Sequence, residues 1–511
     1  VVLILADDLG WTDSGFAGSR FYETPHLDAL AAGGIRLTSF YAAPVGLPTH
    51  AALLSGQYSP RTSVYAGDIG DVSSTGAVAA VDFPVRTNLA AVLKAAGYVT
   101  GYIGTWGFNR EGDAQPTRLG FDEAVLTSPQ HVGFEVHPPA EVPAGAHLVD
   151  FVTERALDFL DRHREQRFFL MISHFSVHQP TEPKPAWVGR FEKKPPAAGH
   201  RDAAYAAMIG GLDEGVGRVI ARIESLNLTG NTVVIFVSDN GGVGMQTDAE
   251  SGGRRTGVTD NAPLRGGKGM VYEGGMRVPF LVRWPGVVAP GSRSSDPVSA
   301  VDLMPTLCEV AGTRPPAGQP VDGINLLPLW KNAAAPLGRD ALFWHFPDGL
   351  ESAGRPVIRT APVGIVRAGN FKLIEWLEDG RVELYNVVED LGEKNNLVRS
   401  LPDKTSELKA KLAAWRKETG APIRAAKAPA APPATPPPTV APVPAPVAAP
   451  ATNAPPPAEP TPPPAAPAVA PTTPPTTPAN PAPGAATPPA EVPPVVDPVP
   501  AVPAAEPKAG S

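Results

Sequence analysis

Two apolar runs, each closed by a pair of acid or amide side chains, constrain this chain more than any other feature. Residues 1–6 read Val-Val-Leu-Ile-Leu-Ala and end in Asp7-Asp8; residues 232–238 read Thr-Val-Val-Ile-Phe-Val-Ser and end in Asp239-Asn240. A continuous apolar run is the pattern of a parallel strand buried on both faces. In open parallel sheets, ligands bind beyond the carboxyl ends of the strands. Such a fold would bring Asp7, Asp8, Asp239 and Asn240 to one edge, an oxygen set of the kind that Ca²⁺ or Mg²⁺ takes. One Asp-Asp pair alone is more often a helix cap or a solvated turn. Two pairs at equivalent strand ends leave both readings standing.

The segments between and around these runs alternate. Helical patterns cover residues 26–33, 89–97 and 201–226, and strand patterns cover 98–103 and 168–173. Alternating strands and helices imply an α/β fold with a mainly parallel sheet covered on both faces. Beyond about residue 335 shorter strands appear at 363–367, 372–376 and 382–386, followed by a helix over 404–417. That pattern predicts a small α+β subdomain with an antiparallel sheet. The expected organisation is therefore an α/β domain over 1–335, a subdomain over 336–420 and a tail over 421–511. The tail is mostly Pro, Ala, Thr and Val and carries more than half of the 63 prolines. It can bury no core and is expected to be disordered or extended, serving at most as a spacer or a contact to the cell envelope.

Composition excludes some partners. The net charge is −8 and no basic stripe is present, which argues against nucleic acid. No stretch approaches the ~18 apolar residues of a membrane span. The single cysteine, Cys308, rules out an intramolecular disulfide and reads as a small buried hydrophobe. The opening run is too short for the apolar part of a signal peptide, and a chain opening inside a strand implies residues upstream.

Further blocks carry a resemblance. Leu3-Ile-Leu-Ala-Asp-Asp-Leu-Gly-Trp11, Thr24-Pro-His-Leu-Asp-Ala-Leu30 and Ala51-Ala-Leu-Leu-Ser-Gly56 occur in order. They are followed by Phe236-Val-Ser-Asp-Asn-Gly-Gly242, Leu264-Arg-Gly-Gly-Lys-Gly269, Glu273-Gly-Gly-Met-Arg-Val-Pro279 and Asp302-Leu-Met-Pro-Thr306. Asp322-Gly-Ile324 and Glu383-Leu-Tyr-Asn386 complete the series. Residues 1–420 thus resemble the sulfatase family of the alkaline-phosphatase-like superfamily. The resemblance implies that fold, sulfate-ester hydrolysis, and a divalent cation, most often Ca²⁺ with Mg²⁺ as the alternative. It implies Asp7, Asp8, Asp239 and Asn240 as metal ligands, His178 beside the leaving group and Lys268 on the sulfate oxygens. It also implies a sulfated small molecule or glycan as ligand and, with the tail, a secreted or periplasmic location.

Family members use a formylglycine nucleophile made from Cys or Ser in a Cys/Ser-x-Pro-x-Arg motif. Here the motif reads Gly46-Leu47-Pro48-Thr49-His50, and the family's Lys-Trp-His block reads Thr105-Trp106-Gly107. No formylglycine can form at Gly46, and two cations and an imidazole are replaced. Thr49, three residues after Gly46, is a candidate substitute hydroxyl, although an N-terminal helix threonine more often binds backbone donors. His50 is a candidate ligand for a transition metal, against the more usual first-turn histidine with no ligand role. Three functions are consistent with this pattern: a pseudo-sulfatase that binds an anionic ligand without turnover, a hydrolase using a metal-bound water, and an envelope-tethered protein with an idle cleft.

Overall fold

In the computed structural model the described residues are 1–65, 87–108, 115–244, 246–247, 255–352 and 358–423. The Pro/Ala-rich tail lies outside them from residue 424 onward. Nine strands form the main sheet. In chain order they are β1 (Val2–Ala6), β2 (Ile35–Leu37), β3 (Val99–Thr105), β4 (Glu123–Thr127), β5 (Val136–His137), β6 (Phe168–His174), β7 (Val234–Ser238), β8 (Phe280–Arg283) and β9 (Ser292–Ser294). Their spatial order is β9-β2-β8-β7-β1-β6-β3-β4-β5. The five adjacent strands β7, β1, β6, β3 and β4 run parallel. Antiparallel β8 and β5 flank this parallel block. The expected mainly parallel α/β sheet is therefore present.

Register sets the functional edge. Ala6 at the end of β1 pairs with both His174 and Ser238, so β1, β6 and β7 finish level. The next residues of β1 and β7 are Asp7 and Asp239. β3 reaches Thr105, two residues beyond the expected strand end, and Gly104 sits opposite Ser173. Gly104 has φ +124°, and a Cβ there would lie 1.9 Å from the Ser173 carbonyl oxygen, so only glycine allows this approach. Every residue of β1 is buried, as a strand covered on both faces must be.

The sheet is flanked by helices, the first of them α1 (Pro25–Ala32). Helices Leu148–His163 and Ala203–Ser225 pack together, as do α2 (Gly46–Ser55), Leu89–Ala95 and Leu303–Val310. Cys308 lies buried in Leu303–Val310, and burial pushes its thiol up to about 11, as for a small hydrophobe. No helix among the described residues is long and apolar enough to cross a membrane.

Strands Leu342–Phe346, Val363–Ala368, Phe371–Trp376 and Val382–Asn386 form an antiparallel sheet, and helix Pro402–Thr419 covers it. The first of these strands was not expected from the sequence. One of its faces joins Tyr41, Ala43, Val45, Val271 and Met276 in a shared apolar cluster. Val1–Ala430 accordingly forms one compact unit.

Candidate active site

The edge where β1, β6 and β7 end is built first by backbone. The Asp239 N–H donates to Ala6 O at 3.0 Å, and the Asp7 N–H donates to Ser176 O at 3.0 Å. Val177 N–H returns a bond to Asp7 O at 2.6 Å. The ladder thus continues past the strands and carries the 175–178 loop against Asp7. The chain then turns at Asp8, whose φ of +64° is left-handed, a conformation Asp tolerates better than most residues.

Asp8 is held by four groups. Its N–H donates to Asp239 Oδ1 at 3.0 Å. Its Oδ1 accepts from Asn240 Nδ2 at 2.8 Å and lies 2.7 Å from Lys268 Nζ. Its carbonyl accepts from the Tyr205 hydroxyl at 3.2 Å. Asp8 and Lys268 are each 1% exposed, so this is a buried ion pair. His178 Nε2 stands 3.9 Å from Asp8 Oδ2. The ring's Nδ1 lies 2.5 Å from Gln179 O, which assigns the proton to Nδ1 and leaves Nε2 toward Asp8.

Lys268 reaches the site because its glycine-rich loop is sewn to two neighbours. Lys268 N–H donates to Gly242 O at 3.0 Å, and Gly269 N–H donates to Pro44 O at 2.7 Å. Pro44 lies two residues before α2, so the same loop fixes the start of that helix. Gly46 opens α2 and is buried, with no side-chain cap on the helix. Thr49 Oγ1 accepts from Ala43 N–H at 2.9 Å, so this hydroxyl serves the backbone of the preceding loop.

His50, one turn after Gly46, is fully buried. One ring nitrogen and one carboxylate oxygen each from Asp7 and Asp239 lie within 4.8 Å of one another. This grouping gives His50 a place beside the carboxylates, where the helix position alone favoured no ligand role. Asp8 instead turns its carboxylate to Lys268 and Asn240. Asn240 uses Nδ2 twice, toward Asp8 and toward Gly241 O at 3.0 Å. Its Oδ1 is buried and has no hydrogen-bond partner among the described residues. A spare buried amide oxygen beside two carboxylates and an imidazole is a donor set that fits a divalent cation.

Thr105 ends β3 at the same edge; its hydroxyl is buried without a hydrogen-bond partner among the described residues. Trp106 packs edge-on against Tyr102 at 4.8 Å, and Gly107 follows.

Two supporting groups were not anticipated. His131 Nε2–H donates to His178 O at 2.7 Å, and burial pushes its imidazole down to about 4, keeping it neutral. Tyr205 also meets Asp13 Oδ2 at 2.8 Å, and Asp13 accepts from Gly10 N–H at 3.0 Å and Thr259 Oγ1 at 2.6 Å. Burial raises the Asp13 carboxyl. Neither group carries a sequence signal, because each acts through a residue distant in the chain.

With this geometry in view, comparison with known proteins is decisive. The sulfatase family model matches residues 1–313, and the model for the N-sulphoglucosamine sulphohydrolase C-terminal region matches residues 267–418. The chain belongs to the sulfatase family. A sulfatase of Formosa agariphila is 30% identical over 512 aligned residues, covering 83% of this chain and 89% of the relative. The N-acetylgalactosamine-6-sulfatase of Sus scrofa is 31% identical over 64% of this chain, which spans 65% of that relative's length. The crystal structure of Ps i-CgsB in complex with k-i-k-neocarrahexaose superposes with a TM-score of 0.68 at 26% identity, covering 84% of this chain and 94% of that one. Family members typically bind a divalent metal, and the Asp7, His50 and Asp239 grouping could hold one.

Proposed function

We propose that this sulfatase-family protein is a pseudo-sulfatase: it holds a divalent cation and binds a sulfated or otherwise anionic ligand without turning it over. One observation carries the reading. Gly46 stands buried at the start of α2, one turn before the His50 that groups with Asp7 and Asp239, with no side chain to oxidise to an aldehyde. Covalent catalysis needs an activated nucleophile at that place. The motif arginine and lysine are His50 and Thr105 here, so two charges that would face a sulfate are gone. Losing even one such donor typically costs a few kcal/mol of transition-state stabilisation.

The retained groups suit binding. Asp7, Asp239 and Asn240 would hold the cation, with Asp8 paired to Lys268 behind them, and as oxygen donors they suit Ca²⁺ or Mg²⁺. A cation bound there would add positive charge opposite an anionic ester. Lys268 and His178 line the same edge through Asp8. A sulfated glycan is the ligand class we favour, supported by the names of its relatives: an N-acetylgalactosamine-6-sulfatase and a neighbour solved with a neocarrahexaose. A secreted or periplasmic setting is the one we favour from the family resemblance, with the tail as the candidate envelope contact.

A second reading, hydrolysis of a sulfate or phosphate ester by water rather than by a side chain, is favoured by the position of His50. The test is one assay series with sulfated sugars and aryl sulfates, with and without added divalent cation. Saturable, cation-dependent binding without turnover is the expected result. Metal-dependent turnover by the unmodified protein would sink the pseudo-sulfatase reading and promote the hydrolase. Absence of both binding and turnover would leave an idle cleft.

A further inference from the structure

His50 occupies the position where the family motif has an arginine. A guanidinium stays protonated and cannot bind a metal. An imidazole can, and with carboxylates it makes a mixed nitrogen and oxygen donor set. Ca²⁺ takes six to eight oxygens, whereas imidazole suits first-row transition metals. The single exchange therefore removes a charge that would face an anion and adds a ligand.

Geometry supports the second effect. His50 is fully buried one turn into α2, and the Lys268 loop fixes the start of that helix through Gly269 and Pro44. Its ring nitrogen and one oxygen each of Asp7 and Asp239 lie within 4.8 Å of one another. Donors about 2.1 Å from a common Zn²⁺ in tetrahedral array stand roughly 3.4 Å apart. Side-chain rotations of a fraction of an ångström to an ångström or so bring the three together. The Oδ1 of Asn240, next in sequence to Asp239, is buried without a hydrogen-bond partner among the described residues and is a candidate further donor. Asp8, engaged by Lys268 and the Asn240 amide, need not move for this.

We infer that Asp7, Asp239 and His50 form a site selective for a transition-metal dication, such as Zn²⁺ or Co²⁺, over the Ca²⁺ that the oxygen donors alone would take. This rests on the cation site proposed above and assigns its metal class.

The experiment uses the full chain, stripped with a chelator and titrated with Ca²⁺, Zn²⁺ and Co²⁺ by calorimetry. It compares the unmodified protein with His50→Gln and Asp239→Asn. Loss of a mere supporting partner of a metal ligand costs about 10–100-fold in affinity, so losing the ligand costs at least that. His50→Gln is expected to weaken Zn²⁺ and Co²⁺ by more than about 10-fold and to leave Ca²⁺ unchanged; Asp239→Asn is expected to weaken all three. Independently of any variant, the Co²⁺ form of the unmodified protein should show an exchangeable, hyperfine-shifted imidazole N–H resonance. If His50→Gln leaves Zn²⁺ and Co²⁺ binding intact while Asp239→Asn abolishes it, the His50 assignment falls and the cation site stands. Absence of the shifted resonance in a Co²⁺-loaded protein overturns the inference in the same way. If the unmodified protein binds none of the three ions, the cation reading itself fails.

Discussion

Replacing Lys372 by methionine tests the charge cluster that joins the two parts of the compact unit. Lys372 Nζ lies 3.1 Å from Glu273 Oε1 and 3.0 Å from Glu393 Oε1. Glu393 Oε2 accepts the Glu273 N–H at 2.7 Å, and Glu273 Oε2 accepts from the Tyr41 hydroxyl at 2.7 Å. Arg277 stands 3.6 Å from Glu273, and Arg367 adds its charge from the neighbouring strand. Burial pushes the Glu393 carboxyl up to about 7, against the pull of Lys372. Glu273 feels the same burial but is held below its usual range by Lys372, Arg277 and Arg367 together. A raised carboxyl contributes its stability below the unfolded value of 4.5 and loses it as pH rises through about 7. That interval is worth about 3 kcal/mol. In Lys372→Met both carboxyls lose their shared cation, and breaking a buried pair costs about 3–5 kcal/mol. The penalty should be full at pH 8 and much smaller near pH 5, where the carboxyls take up protons. Glu393→Gln, which cannot titrate, should flatten the fall in stability between pH 5 and pH 7. Urea denaturation followed by tryptophan fluorescence across pH 5–8 reads both. An equal penalty for Lys372→Met at pH 5 and pH 8, or an unchanged slope in Glu393→Gln, would refute the reasoning.

Lys268→Met strips Asp8 of its buried partner and should destabilise the protein by about 3–5 kcal/mol in the same denaturation assay. Thr49→Val leaves the Ala43 N–H buried without its acceptor and should cost about 1–3 kcal/mol, with cation affinity by calorimetry unchanged. Gly46→Cys, co-expressed with a formylglycine-generating enzyme, should gain neither the aldehyde by mass spectrometry nor aryl-sulfatase activity, because the motif arginine is still His50. Combining it with His50→Arg, Thr105→Lys and Gly107→His should restore both.

The parts of this molecule that could be read in advance are those whose signal is local. β1 and β7 announce themselves as apolar runs, and their register brings Asp7 and Asp239 level. The strand Leu342–Phe346 escaped because its second face carries Phe343 and a buried His345 rather than exposed polar residues. Leu342, Trp344 and Phe346 meet Tyr41 and Val45, while Phe343 stacks on Trp415 of the last helix at 4.9 Å. A short strand buried on both sides shows no alternation. The place of His50 was undecided for another reason. Its spacing from Gly46 puts the two on one face of α2, but nothing in the sequence says that this face meets Asp7 and Asp239. The Tyr205–Asp13 and Lys372–Glu273–Glu393 clusters join residues far apart in the chain, and such pairing exists only once the sheet has formed.

The departures from the family motif at Gly46, His50, Thr105 and Gly107 fall at one end of the sheet, and the groups behind them are hydrogen-bonded. Tyr205 and Asp13 still hold the Asp8 turn, His131 still holds His178, and the Lys268 loop still anchors α2. Charge gives the arrangement a direction. Arginine to His50 and lysine to Thr105 subtract two cations from an edge that keeps the carboxylates of Asp7, Asp8 and Asp239. Buried carboxylates need compensation of several kcal/mol each. Lys268 supplies it to Asp8. A dication held by Asp7, Asp239 and His50 would return two positive charges to the same edge, so the exchange of arginine for His50 that takes a fixed cation away also supplies a ligand for a metal ion.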